Sequence, residues 1–313
     1  MGSNMNDTGW IVAFFLVLFL VAVLLWLTPL LDPFRSQRRM RRHSSTFFEA
    51  FSSLKDPRMR RGVFAVYAFG RKLEDAAHRR RDRDMLESLE ADFLKAIEGQ
   101  RVGHWLFAEL MWTAETFYPE DYDYKPYFDM INGRKLDLDG PRFKTKKQLF
   151  EYCKAVAGTA GRMINPILAK EDTPGRRKFA DDLGIAMQLT TILKDLKTDP
   201  VRFKDYLPEE MTEAASIDWN AVVNGAVSEA FLAIVEELSE MAESRYRSAQ
   251  SGLSEFPVEV RDSLDLSISV YRAILAKVRQ KEYVPSGRRR VLSKRGKRKV
   301  VLDWLRQRND PDR

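Results

Sequence analysis

A single cysteine, Cys153, stands among 313 residues. No intrachain disulfide framework can form, so a reducing compartment is the simpler expectation. Cys153 has no metal-ligand partners nearby in sequence and reads as buried filler. No run of residues alternates apolar and polar with period two, which leaves no basis for a sheet. No repeat of fixed period is present either, which argues against a solenoid or propeller. A glycine-rich dinucleotide loop of the usual kind is also missing. Disorder is not the default, because 44% of the residues are hydrophobic and that is enough for a sizeable core.

Residues 10–31 lack charge altogether and are dominated by leucine, valine and phenylalanine. As a helix they would span roughly 33 Å, against a hydrocarbon core of about 30 Å. Trp10 and Trp26 lie near the two ends, where indole rings favour the lipid–water interface. The leading residues carry no basic stretch, and Pro29, Asp32 and Pro33 followed by five arginines replace the small residues of a cleavage site. The segment therefore reads as a transmembrane helix. Because Arg35, Arg38, Arg39, Arg41 and Arg42 should stay cytoplasmic, the N-terminus is expected outside. The expected organisation is an extracytoplasmic tail over 1–9, the span over 10–31, and a basic juxtamembrane linker over 32–42. A cytoplasmic domain over 43–308 and a tail over 309–313 complete it. A second basic cluster, from Arg288 to Lys299, contributes to the net charge of +7. Charge alone leaves nucleic acid, anionic lipid and phosphorylated small molecules open as partners.

Helical periodicity runs through almost all of the remainder, punctuated by proline. The spacing predicts helices over 47–54, 60–80, 85–97, 104–117, 149–168, 176–198, 221–250 and 258–281. A polar, tyrosine-rich connection is expected around Pro119 and Pro126. The class is all-α.

Two stretches carry chemistry. In Gln188-Leu-Thr-Thr-Ile-Leu-Lys-Asp195, continuing to Asp199, the two aspartates stand four apart and share one helix face with Thr191 and Gln188. Magnesium is commonly shared between a few carboxylates and substrate phosphates, and this pair suits that task. A solvated acidic face gives the same pattern. In the second stretch, Arg71, Asp75 and His78 share a face with Glu74 beside it. They read equally as a second acidic patch facing the first across a bundle or as a surface ion pair.

Taken together and in order, these residues resemble the squalene/phytoene synthase family, which joins two prenyl diphosphates head to head. His43-Ser-Ser-Thr-Phe47 is similar to the family's opening His-Ser-x-Ser-Phe. Tyr67-Ala-Phe-Gly-Arg-Lys-Leu-Glu-Asp75 resembles its first aspartate-rich motif, and Met130-Ile-Asn-Gly133 with Asp137-Leu138 resembles the connection that follows. Tyr152-Cys-Lys-Ala-Val-Ala-Gly-Thr-Ala-Gly161 is similar to Tyr-Cys-x-x-Val-Ala-Gly-Thr-Val-Gly. The stretch from Leu183 to Asp199 with Tyr206-Leu-Pro208 resembles the second aspartate-rich motif, and Tyr271-Arg-Ala-Ile-Leu275 with Arg288-Arg-Arg290 the C-terminal part.

The resemblance implies an isoprenoid-synthase helical bundle and farnesyl or geranylgeranyl diphosphate as substrate. It implies magnesium held by Asp195 and Asp199 on one side and by Glu74 and Asp75 on the other. Ser44, Arg71, Lys194 and Arg288 would meet diphosphate oxygens, while Tyr152, Gln188 and Tyr271 would line the reacting cavity. NADPH would enter only with a reductive second step, and nucleic acid is not an expected partner.

The sequence departs from the family pattern at several of these places. Glu74 and His78 stand for aspartates, Thr191 for asparagine, and Lys194 and Lys204 for arginines; Arg162 and Lys154 are also unusual. Neutral imidazole is a poor magnesium ligand, and lysine offers a point charge where arginine offers a planar fork. Three readings therefore stand: an active prenyltransferase; a family member that binds prenyl diphosphate or assists membrane assembly with an altered or lost reaction; or, least favoured, a nucleic-acid or lipid-headgroup binder using the basic run from Arg288 to Lys299.

Overall fold

In the computed structural model, residues 16, 17, 19, 35–43, 45–196, 199–213, 215–279 and 293–308 are described, and all regular elements among them are helical. The expected membrane span lies outside the described residues except for Leu16, Val17 and Phe19, which are helical and exposed. Among the described residues no helix is long and apolar enough to cross a membrane.

Helix α1 (Arg35–His43) occupies most of the expected juxtamembrane linker. Its Ser36 and Met40 are buried, and it packs along α3 (Pro57–Glu74) and α2 (Ser45–Ser52). The bundle thus begins before residue 43, because Ser36 and Met40, one helical turn apart, face the core while the arginines lie around them.

Local signals set most helix starts. Asp56 accepts a bond from the Arg58 N–H at 2.7 Å, with Pro57 at the first position of α3. Asp82 caps α4 (Arg83–Ile97) in the same manner, and the His104 Nδ1 caps α5 (Trp105–Phe117). Thr145 caps α7 (Lys146–Cys153). Thr173, with Pro174 behind it, caps α9 (Pro174–Asp195). Between α5 and α7 lies α6 (Lys125–Asp139), where the sequence suggested a connection. Pro126 opens it and Asp123 accepts from the Lys125 N–H.

Two elements widen into π-helical turns. α3 continues as a turn over Asp75–Arg80, which ends where Arg81 adopts a left-handed conformation (φ 51°). α7 continues as a turn over Lys154–Gly158 into α8 (Thr159–Leu168). Wide turns of this kind re-aim side chains and recur at functional sites. The C-terminal half adds the short α10 (Pro200–Tyr206), α11 (Glu209–Thr212) and α12 (Trp219–Val223). The long α13 (Glu229–Ser251) and α14 (Val258–Arg279) follow. The predicted helix over 221–250 is thus broken before Glu229, where Ser228 caps α13. Finally α15 (Lys294–Arg308) packs Val300, Val301 and Trp304 against Ala50, Leu266 and Val270.

The central helix is α9, packed against α8, the Lys154–Gly158 turn, α13 and α14. Close approach there depends on glycine. A Cβ on Gly184 would stand 2.2 Å from the Gly158 nitrogen, and one on Gly161 would stand 2.8 Å from the Ala180 Cβ. Gly158 and Gly161 therefore let helices approach closely, with Gly161 also forming part of a cavity wall. Gly184→Val is expected to cost at least about 3 kcal/mol in chemical denaturation, since a backbone atom cannot yield as a side chain does. A variant of unchanged stability would show that this contact is looser than described.

Candidate functional site

A cavity of about 340 Å³ opens among α3, α6, α8, α9 and α14, within the ordinary range for a small-molecule site. Its interior is apolar, with Phe51, Val63, Ile164, Leu168, Phe179 and Leu264 among the walls. Its charged and polar groups include Arg71, Glu74, His78, Arg134, Asn165, Gln188, Thr191, Lys194 and Asp195, with the hydroxyls of Tyr67, Tyr206 and Tyr271 on the same lining residues. An apolar chain fits such an interior, and an anionic head fits such a rim.

α3 and its π-helical turn present Tyr67, Gly70, Arg71, Glu74 and His78 to the cavity, a helical stripe at spacings of three and four. Asp75 is one position off that stripe and is not part of the cavity wall. Its Oδ1 accepts from the Arg71 Nη2 at 2.7 Å and its Oδ2 from the Arg39 Nη2 of α1 at 3.0 Å. The Arg79 Nε lies 3.5 Å away. Glu74 does face the cavity, with the Arg71 Nη1 at 3.1 Å. Burial alone would raise its carboxyl, but the positive field of Arg134, then Arg71, His78 and Lys194, outweighs this and holds it below its ordinary value.

α9 supplies the opposite wall through Gln188, Thr191, Lys194 and Asp195. The Thr191 hydroxyl turns back to the Met187 carbonyl at 2.9 Å. The Asp195 side chain is 42% exposed, 3.5 Å from the Lys194 Nζ. Asp199 is exposed and donates its backbone N–H to the Asp195 carbonyl at 2.8 Å. α9 ends at Asp195, short of the expected residue 198, so Asp199 follows the helix rather than sharing its last turn. Both carboxylates are of the ligand type that suits a hard dication such as magnesium. The first motif does not fit one, because Asp75 is engaged by arginines and Glu74 sits in a field of cations. Among the described residues no group of three or more His, Cys, Asp or Glu side chains is assembled to hold a metal.

Tyr271 lines the cavity, its ring centroid 5.4 Å from that of Phe47. Tyr152 is buried behind the wall rather than in it. Ser44 and Arg288 lie outside the described residues. Three of the unusual basic residues turn away from the cavity. Arg162 forms a two-bond fork with Asp181 (2.8 and 2.6 Å) that Lys154 joins at 3.3 Å. The Lys204 ammonium stands over the Trp219 ring.

The residues that sequence reasoning missed sit on α6. The Asp137 side chain has no solvent exposure. Its Oδ1 accepts from the Tyr152 hydroxyl at 2.6 Å and the Tyr206 hydroxyl at 3.0 Å. Its Oδ2 accepts from the Arg134 Nη1 at 3.0 Å, and the His78 Nε2 stands 2.8 Å away. Burial pushes this carboxyl up, yet His78, Arg134 and Tyr152 together hold it well below the carboxylate range. Burial and the adjacent Asp137 in turn keep the Tyr152 hydroxyl protonated. The available signal was an Arg134/Asp137 pair three residues apart on a stretch whose other inward residues are Tyr127, Met130, Ile131 and Gly133.

A family model described as squalene/phytoene synthase matches residues 40–296. Phytoene synthase of Thermus thermophilus is 34% identical over 254 residues, covering 80% of this chain and 85% of that protein. The 4,4'-diapophytoene synthase of Staphylococcus haemolyticus is 28% identical over 247 residues, covering 78% and 86%. The crystal structure of a dehydrosqualene synthase with ligand superposes with a TM-score of 0.80 at 27% identity, covering 88% of this chain and 99% of that one.

Asp137→Asn is expected to destabilise the protein by about 3–5 kcal/mol, because it leaves the buried Arg134 charge uncompensated. The depressed carboxyl contributes stability above its unfolded value of about 3.9, and that contribution is lost as pH falls through the folded value. In urea denaturation, the gap between wild type and variant should therefore be constant above about pH 5 and shrink in stronger acid. A gap independent of pH down to the acid limit would contradict the ionised Asp137.

Proposed function

Because the chain belongs to the squalene/phytoene synthase family, the prenyltransferases that condense two prenyl diphosphates head to head in isoprenoid and carotenoid biosynthesis, we propose that it performs this condensation with magnesium at a membrane. The observation that supports this reading is the cavity itself, with Arg71, Lys194 and Asp195 at the rim of an apolar interior.

Asp195 and Asp199 are the residues that would hold magnesium, which when bound neutralises charge on the departing diphosphate. Arg71 and Lys194 supply positive charge to diphosphate oxygens. Departure of diphosphate from an allylic carbon leaves a carbocation. The apolar walls keep water from it, while the faces of Phe47 and Tyr271 offer negative π density to a cation. Gln188 lines the same space. By the family resemblance, Ser44 and Arg288 would complete the diphosphate contacts. The substrate is farnesyl or geranylgeranyl diphosphate, and NADPH would act only in a reductive second step.

The N-terminal apolar segment would anchor the domain on the cytoplasmic face, next to the arginines of α1. A second reading, prenyl diphosphate binding without turnover, is favoured by one observation: Asp75 is held by Arg39 and Arg71 instead of facing the cavity.

Incubation of the full chain in detergent with magnesium and either diphosphate is expected to yield hydrocarbon product and free diphosphate. Asp195→Ala should lower turnover by at least a hundredfold. Binding with no diphosphate release under any of these conditions would select the second reading. For the anchor, expression of the full chain should place it in the membrane fraction, resistant to high-salt washing. Release by salt would contradict a spanning helix.

A further inference from the structure

Among the described residues, the rim of the cavity carries one charge that neither motif contains, the Arg134 guanidinium of α6. Its side chain is 8% exposed, so it is more than nine-tenths buried. Of its donors, Nη1 bonds to Asp137 at 3.0 Å, whereas the buried Nε has no partner. Asp137 cannot take more, since it already receives two tyrosine hydroxyls and the close approach of His78. A buried N–H left without an acceptor costs stability, and here that N–H belongs to a side chain lining the cavity. The neighbouring Arg71, also on the cavity wall, likewise has a buried, unpartnered Nε. Two guanidinium groups on the wall of one compartment, each with a donor that the protein leaves unpaired, call for an acceptor with several oxygens. Guanidinium forks match phosphate geometry.

Charge supports the same conclusion. Among the described residues, Arg71, Arg134 and Lys194 line the cavity against two carboxylates, Glu74 and Asp195. Glu74 already has Arg71 at 3.1 Å, and Asp75 is taken by Arg39 and Arg71. A dication placed on this side would meet these cations with few oxygens left to hold it.

We propose that Arg134, with Arg71, is a fixed cationic receptor for the diphosphate head of the substrate, so that this side of the cavity binds diphosphate without a divalent ion. The inference rests on the reading of the cavity as a prenyl diphosphate site, but not on turnover. Asp137 fixes the guanidinium from behind, and Glu74 occupies the receptor until the more highly charged diphosphate displaces it. Divalent metal is then needed only on the Asp195 and Asp199 side.

The test is calorimetric titration of the full chain in non-ionic detergent and excess EDTA, with inorganic diphosphate and with farnesyl S-thiolodiphosphate as probes. Wild type should bind both saturably. Arg134→Gln should weaken binding tenfold or more, and Arg134→Lys should retain part of the affinity. Glu74→Gln should tighten binding in EDTA several-fold, because it removes the competing carboxylate. Glu74→Gln also keeps the proposal testable should Arg134→Gln fail to fold. Absence of wild-type binding in EDTA would overturn the receptor, as would an unchanged affinity in Arg134→Gln or weaker binding in Glu74→Gln. Binding in EDTA without turnover in magnesium would refute the condensation reading and leave the receptor standing. Turnover in magnesium without binding in EDTA would do the reverse.

Discussion

A carboxylate with no access to solvent, Asp137, stands where α6, the π-helical turn after α3, α7 and α10 meet, and the chemistry of the cavity is organised around it. Burying such a charge is costly unless partners surround it. Here they come from four different segments: Arg134 from α6 itself, His78 from the turn, Tyr152 from α7 and Tyr206 from α10. Each partner is fixed by the requirement to satisfy Asp137, and three of them, Arg134, His78 and Tyr206, also form cavity wall. One buried anion therefore both holds the elements together and sets the charge that they present to a ligand.

The consequence is a division of labour between the two sides of the cavity. On the α9 side, Asp195 and Asp199 remain accessible to solvent, as carboxylates must be to take a hard cation. On the α3 side, the carboxylates are already engaged within the protein, with Asp75 tied to α1 through Arg39 and to Arg71. The same contact adds to the buried Ser36 and Met40 in tying α1 to the bundle. His78 in place of a carboxylate is consistent with this arrangement, since its ring lies against Asp137 and has no anionic oxygen to offer a metal.

Much of this was legible in the sequence, for identifiable reasons. The helices expected from residues 60 and 176 were legible through periodicity, although each starts earlier, at Pro57 and Pro174 behind the Asp56 and Thr173 caps. The spacing of Asp195, Thr191 and Gln188 placed these side chains on one face of α9, although Thr191 spends its hydroxyl on its own helix. The helix α6 was hidden because its inward face carries Arg134 and Asp137, which periodicity counts as polar and therefore outward. The pairing that makes those residues acceptable in the interior comes from Tyr152 and Tyr206, 15 and 69 residues away from Asp137. Asp75 was misplaced on the cavity face for a related reason. Sequence spacing groups it with Arg71, and the two do bond, but Arg39 of another helix decides which way the carboxylate faces.

The most direct test of this arrangement is a crystal structure of the full chain with inorganic diphosphate and magnesium. The fixed-cation arrangement requires Asp137 to keep its contacts with Arg134, His78, Tyr152 and Tyr206. It also requires a phosphate oxygen within about 2.7–2.9 Å of the Arg134 guanidinium, with metal ions only beside Asp195 and Asp199. A metal ion bridging Glu74 and Asp75, with Asp75 released from Arg39 and Arg134 turned from the diphosphate, would contradict it.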